Sequence, residues 1–361
     1  MGRKFGVRSV LLVQSTLGDI YEPAWLRVLN ELGTTCRLFD AHIYASPSVV
    51  GRLEERYLWG LGIARANTAL VGAVREQMPD VTLLYHGHHF YASTIARLRD
   101  LTFAVGIHND DPFGLHRSDP CYRHVVKAMP HYHGFHFCRQ CTVDDALRLG
   151  LPRAKILMQC YLPWKDYPHV FMGEENRQWQ CEVVFAGHVE PDHRVECLVR
   201  LFREGIVLRL YGDEAPWRRA LPRDVYRHMA PIRNVRGDDY RRALCGAKIA
   251  ACFFSKWNRD EYTYRSFEIP ACGVFMLSER THGMQELFEE GKEAEFFDSV
   301  EEFISKVRFY LRNDSARQRV AAAGRERVVR SGHDIVSRVR QWLQDIEEWR
   351  SESESASGRN D

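Results

Sequence analysis

The chain lacks several of the short signatures that identify common nucleotide and hydrolase sites. It has no G-x-G-x-x-G after an early strand, which leaves a dinucleotide fold unsupported, and no G-x-x-x-x-G-K-[ST], which removes the P-loop NTPases. It has no G-x-S-x-G, so a hydrolase nucleophile elbow is not expected. No apolar run approaches the roughly 18 residues of a membrane span, and the N-terminus shows no signal-peptide core. Net charge is also nearly absent: 50 Lys and Arg stand against 48 Asp and Glu. Without an overall positive field, and without a basic stripe interleaved with aromatics, no nucleic-acid partner is expected. These absences point to a cytoplasmic protein with no transmembrane segment.

The 361 residues suffice for about two domains, and a composition of 45% hydrophobic and 27% charged residues is that of a globular chain. Ten cysteines are scattered through apolar runs and read as reduced and structural. Cys138 and Cys141 form a lone CxxC without a second ligand pair. None of the 16 histidines forms a convincing pair at helical metal spacing, so no metal site is expected.

Apolar strand-like runs at residues 10–13, 36–39, 81–85, 102–107 and 133–138 alternate with helical segments, and a charged helical stretch covers 48–78. Such alternation predicts a parallel sheet with crossover helices. Residues 163–180 are polar and aromatic without period and read as a linker. The alternation then restarts, with strands at 182–186, 207–211, 248–253 and 275–277, and helices near 194–204 and 240–244. Ser299 to Glu302 forms a capping box ahead of a helix. A last helix carries Ile335, Val339, Trp342, Leu343, Ile346 and Trp349 on one face, with either the domain junction or a partner to cover it. The expected fold class is α/β, with residues 1–167 an N-terminal domain, 168–350 a second, and 351–361 a disordered tail.

Strand-to-helix turns are where an open α/β sheet keeps ligands, because helix N-termini hold anions. The first turn, QSTLGDIY, offers Gly18. The turn after CEVVFAG brings Gly187, His188 and Arg194 to a helix mouth, either as a diphosphate cradle or as an ordinary solvated loop. The loop SKWNRDEYTYR leads to Ser266 and Glu268, with Asp260 eight residues before the glutamate. Glu268 is suited to two vicinal hydroxyls of a sugar or ribose, and Thr263, Arg265 and Ser266 to phosphate oxygens. The alternative is a structural ion pair between Arg265 and Glu268. In the first half, His108 ends a strand in HNDDP and is placed to orient an acceptor hydroxyl or act as a base. Asp and Asn before Pro equally favour a simple turn. His86, His88 and His89 follow the third strand in a similar position.

The run RSFEIPACGVFMLSERTHGMQELFEEGKEAEFFDSVEEFISKVRFYLRNDSARQRVAAAGRERV resembles the C-terminal domain of group 1 glycosyltransferases of the CgeB-like, spore-maturation-like kind. The shared pattern is R-x-F-E-x-x-x-C-G, a strand, G-x-x-E-L-F-x-x-G-x-E, and helices ending A-x-x-G-x-x-x-V. Weaker similarity reaches VVFAGHVEPDHR, LYGDEAPW and IHNDDPF. The resemblance implies a GT-B fold of two Rossmann-like domains with parallel sheets facing a cleft and C-terminal helices. The first domain would bind the acceptor and the second a nucleotide-sugar donor as co-substrate. It also implies no cofactor and no metal.

By the same resemblance Glu268 takes the place of the second glutamate of an E-x7-E pair and binds the nucleotide ribose. Asp260 stands where relatives keep the first, a departure that bears on sugar recognition. Gly187, His188 and Arg194 fall at the diphosphate, and Arg236 near the base. The implied activity is a hexosyltransferase-type transferase (EC 2.4), retaining, with a sugar, lipid-linked or protein acceptor. Another GT-B sugar-nucleotide enzyme, such as an epimerase, and a non-catalytic nucleotide-sugar-binding module are the alternatives.

Overall fold

The computed structural model describes residues 5–14, 20–114, 118–172 and 178–357. Gly18 lies outside them. The chain divides into two compact units, one made of residues 1–158 with 335–361 and the other of residues 159–334.

In the first unit six strands, β1 (Ser9–Gln14), β2 (Thr35–Asp40), β3 (Val81–Tyr85), β4 (Phe103–His108), β5 (Gly134–Phe137) and β6 (Ala154–Ile156), form one sheet in the order β2-β1-β3-β4-β5-β6. Every pairing is parallel. A parallel sheet needs helices on both faces, so its inner strands read as unbroken apolar runs. VTLLY in β3 is buried at every position. The helical stretch expected over 48–78 is two helices, Val49–Tyr57 and Leu61–Gln77, divided where Leu58 adopts φ 49 and Gly60 φ 126.

The second unit has five parallel strands, β7 (Cys181–Ala186), β8 (Leu208–Tyr211), β9 (Ala247–Cys252), β10 (Phe275–Glu279) and β11 (Glu295–Phe297), in the order β11-β10-β9-β7-β8. Its core gathers Phe185, Trp217, Phe253, Phe297 and Phe303. Phe185 meets Phe253 edge-on at 5.2 Å, the arrangement aromatic quadrupoles favour. The short strands β6 and β11 escaped the sequence reading because three residues carry no usable period. Ser299 caps its helix as expected, its Oγ accepting from Glu302 N at 3.2 Å. The glutamate reaches past the cap residue, however, and accepts from Asp298 N at 2.9 Å.

The last helix, Ile335–Ser357, belongs to the first unit, not to the second as the expected boundary at 350 had it. Its apolar face is buried throughout, and Trp342 meets Trp25 edge-on at 5.6 Å. Gly134 leaves room for Trp349; a Cβ there would come within 2.5 Å of the indole. Asp345 adds polar anchors, 3.1 Å from His136 Nε2 and 2.9 Å from Lys155 Nζ. An apolar stripe states that a helix is covered, but not by which body, and here the cover is the helix Tyr21–Glu31 with β5 and β6. Residues 351–357, expected as disordered tail, continue this helix.

Candidate functional site

The second sheet reverses its winding between β7 and β9, the position where a crevice opens outside the carboxyl ends of an α/β sheet. Two loops leave from there. The first runs from Gly187 to the helix Arg194–Arg203. Gly187 N–H donates to Tyr211 O at 3.0 Å, and its carbonyl accepts from Trp217 Nε1 at 3.0 Å. A Cβ at this position would stand 2.8 Å from the Phe185 ring, so glycine lets the strand end against the core. The His188 side chain is largely exposed.

Arg194 is placed differently from the expectation of a guanidinium offered to a diphosphate. It is 2% exposed. Its Nε and Nη2 donate to both oxygens of Asp192 at 2.6–2.9 Å, Nη1 donates to His188 O at 2.9 Å, and Nη2 to Phe254 O at 3.1 Å. The fork is spent inside the protein, where it buckles the β7 loop to the end of the β9 strand. A buried guanidinium needs such partners, because leaving its donors unpaired would cost several kcal/mol.

The second loop follows β9. Asp260 closes it on itself, its backbone N–H donating to Ser255 O at 2.9 Å and its Oδ2 accepting from Ser255 N at 3.3 Å. Thr263 and Ser266 are buried and interlocked, Thr263 N donating to Ser266 Oγ at 3.1 Å and Thr263 Oγ1 accepting from Arg265 N at 3.2 Å. Beside them, Glu279 at the end of β10 is buried. It accepts from Phe254 N at 2.6 Å and lies 3.0 Å from Lys256 Nζ and 3.1 Å from His193 Nε2. Burial opposes its ionisation, but these neighbours outweigh burial and hold its carboxyl below the usual range.

Glu268, in the first turn of the helix Arg265–Ala271, sits in a buried polar cluster. Its Oε1 accepts from Lys165 Nζ at 3.0 Å and its Oε2 from Tyr240 OH at 2.9 Å. Lys165 also donates to Asp166 Oδ1 at 2.5 Å, and Asp166 Oδ2 accepts from Leu162 N at 2.8 Å. Burial, and then the charge of Glu268, push Asp166 up to about 7 despite the adjacent ammonium. Burial likewise pushes the Tyr240 phenol well above its ordinary value, with Glu268 adding to it. Arg265 lies in the same field, close to Tyr240, Glu268 and the Cys252 thiol. Arg236 is exposed at the start of the helix Gly237–Cys245, apart from these contacts.

The helix carrying Glu268 ends at Gly273, whose φ of 73° permits the turn into β10.

In the first unit β3 ends in two consecutive left-handed residues, His86 at φ 64 and Gly87 at φ 70. They turn His88 toward His108, the two Nε2 atoms lying 2.9 Å apart. Burial first, and then neighbouring imidazoles, His86 and His89 for His88 and His86 and His88 for His108, drive both well below 6.5. His108 Nδ1 faces the Asp110 backbone at 3.1 Å. None of the ten cysteines is in a disulfide, and Cys138 of the CxxC points at Asn109 Oδ1 at 3.6 Å.

The structure therefore joins Thr263, Arg265, Ser266 and Glu268 in one neighbourhood and Gly187, His188 and Arg194 in another. Lys165, Asp166, Tyr240 and Glu279 were not singled out from sequence. Lys165 and Asp166 sit in an aperiodic linker-like run and gave no signal, whereas Glu279, a carboxylate closing an apolar strand, could have been found.

Residues 177–344 match a family model described as glycosyl transferase-like. The match covers a little under half of the chain. No curated protein sequence matches it. Among solved structures, HepE from Anabaena in complex with UDP and glucose is similar at TM-score 0.63 and 11% identity, covering 94% of this chain and 100% of that one. Sucrose-phosphate synthase from Thermosynechococcus elongatus is similar at TM-score 0.67 and 11% identity, over 95% and 99% of the two chains. For α,α-trehalose 6-phosphate synthase from Burkholderia multivorans the values are 0.62 and 11%, with 98% of each chain covered. These likenesses establish the fold as GT-B. No helix among the described residues is long and apolar enough to cross a membrane.

Proposed function

We propose that the chain is a glycosyltransferase that takes a nucleoside diphosphate sugar at the carboxyl edge of the second sheet, between β7 and β9. One observation carries this reading: the segment matching the glycosyl transferase-like model, 177–344, nearly coincides with the unit holding that edge, 159–334. The similarity to HepE, whose structure holds UDP and glucose, favours a uridine nucleotide as the first donor to test.

In this reading the exposed Arg236 and the half-exposed Lys256 supply positive charge to the diphosphate, the exposed His188 offers it a ring N–H, and Arg194 shapes the loop that presents His188. Glu268, held by Lys165 and Tyr240, is assigned to the ribose hydroxyls, which a carboxylate accepts in pairs. Thr263, Arg265 and Ser266 set the geometry of that turn, with Asp260 fixing the loop before it. His108, expected to act on the acceptor hydroxyl, is fully buried with Nε2 against His88 and Nδ1 against the Asp110 backbone, and no proton transfer is assigned to it. The principal contribution to rate is stabilisation of the departing nucleoside diphosphate, for which a single lost contact costs about 10²–10³ in rate. Transfer is assigned as retaining and independent of a divalent cation, with a sugar, lipid-linked or protein acceptor, in the manner of the CgeB-like group.

The test is a thermal-shift panel of UDP-, GDP-, dTDP- and ADP-sugars on the intact chain, followed by product analysis of the stabilising donor with chelator present. A ligand at 100 times its Kd stabilises by about 2.7 kcal/mol. Stabilisation by one class, with slow release of free sugar, supports transfer. Conversion of the donor to an epimer would indicate the epimerase reading, and no response to any donor would overturn the proposal.

A further inference from the structure

We propose that His42, Glu55 and His89 of the first unit form a binding site for a divalent transition-metal ion, with zinc the best match to the donors. One ligand atom from each lies within 4.8 Å of the other two. His89 Nε2 is 2.8 Å from Glu55 Oε2, and His42 Nδ1 is 3.9 Å from the same oxygen. The two imidazoles stand edge-on, with ring centres 5.1 Å apart at 86°.

Three separate elements bring these side chains together, and each is fixed by its own backbone contacts. His42 sits in the 3-10 turn Ala41–Tyr44 after β2, where its N–H donates to Asp40 Oδ1 at 2.9 Å. His89 follows β3, and its carbonyl accepts from Asn67 Nδ2 at 2.8 Å. Glu55 belongs to the helix Val49–Tyr57, capped by Ser48 Oγ on Gly51 N. No sequence spacing announces such a site, because residues 42, 55 and 89 share no helix face.

Two neutral imidazoles and a carboxylate are a donor set that zinc takes with its fourth position left to water. Tetrahedral bonds of about 2.0–2.1 Å place neighbouring donors about 3.3 Å apart. The two separations from Glu55 Oε2, 2.8 and 3.9 Å, fall on either side of this value, and no donor pair is more than 4.8 Å apart. Glu55 is 29% exposed, which gives an ion a way in, whereas the His89 side chain is 4% exposed.

The position also has a mechanical meaning. The helix Val49–Tyr57 buries only Gly51 and turns Val49, Val50, Leu53 and Tyr57 outward. Apolar burial therefore does little to hold it, and Glu55 ties it to the body of the unit through His89. A bound ion would replace that single hydrogen bond with three coordinate bonds. The site is remote in sequence from the donor-site residues and does not rest on the glycosyl-transfer reading.

The test uses the intact chain stripped by chelator and titrated with zinc chloride, then with cobalt chloride for its visible spectrum. The expected result is one ion per chain, a tetrahedral cobalt spectrum without a thiolate charge-transfer band, and a higher melting temperature with zinc. His42→Gln, His89→Gln and the milder Glu55→Gln should each weaken binding about 100-fold or more, since even outer-shell changes cost 10–100-fold. Cys138→Ser with Cys141→Ser should leave binding unchanged. The absence of uptake by the wild-type chain, a thiolate band, or unaltered zinc affinity in the folded variants would each overturn the site.

Discussion

Lys165 Nζ lies 3.0 Å from Glu268 Oε1 and 2.5 Å from Asp166 Oδ1, so one buried ammonium holds two carboxylates that would otherwise repel each other. The cluster turns the helix that begins at Arg265 into a fixed platform. Removing the cation should be worse than removing either anion. Lys165→Ala leaves the buried Glu268 without its cation while Asp166 takes up a proton, and is expected to destabilise the protein by about 3–5 kcal/mol, read by urea unfolding. Lys165→Ala with stability equal to wild type would show that the pair does not hold the platform.

Glu268→Gln keeps an oxygen for Lys165 while removing the carboxylate charge. Under the proposed function it should lower donor turnover by about 10²–10³. The unfolding midpoint should move much less than in Lys165→Ala. Turnover unchanged by this substitution would remove Glu268 from the donor site and leave it a structural anchor.

Asp166 gives a pH signature. Its folded value, about 7, lies above its ordinary 3.8, so the stability linked to its proton is present below about 3.8 and is lost as pH rises through 7. Asp166→Asn should therefore be flatter than wild type between pH 4 and 7, in denaturant unfolding measured across that range. Parallel curves for the two proteins would refute the raised value.

Arg194 and Asp192 should behave as one unit. Arg194→Ala strands the Asp192 carboxylate and frees the loop at His188, and is expected to lower both melting temperature and donor affinity. The double change with Asp192→Ala should be less than additive, because each single change already breaks the same pair. Full additivity in a double-mutant cycle would deny the coupling.

The paired histidines of the first unit act in the opposite direction on pH. Both folded values fall below 6.5, so their contribution is present above 6.5 and is lost as pH falls below it. His88→Gln should soften acid unfolding, as followed by hydrogen exchange in β3 and β4. Acid unfolding of His88→Gln identical to that of wild type would refute the lowered values.

The sequence by itself determined the alternation of strands and helices, the two parallel sheets, and the strand-to-helix turns between them. These are local properties: β3 was read at its observed bounds, and the apolar run after Gly273 could be nothing but a buried strand. The resemblance in residues 265–328 pointed to the GT-B fold that the structural likenesses establish. Only the tertiary structure decided what each polar side chain does. Lys165 reaches Glu268 across 103 residues of sequence, and Arg194 bonds a carbonyl 60 residues away. The last helix joins the first unit because Asp345 and Trp349 meet β5 and β6, some 190 to 210 positions earlier. Periodicity records which face is buried. The partner of a buried charge is a matter of distance in space, which no local pattern encodes.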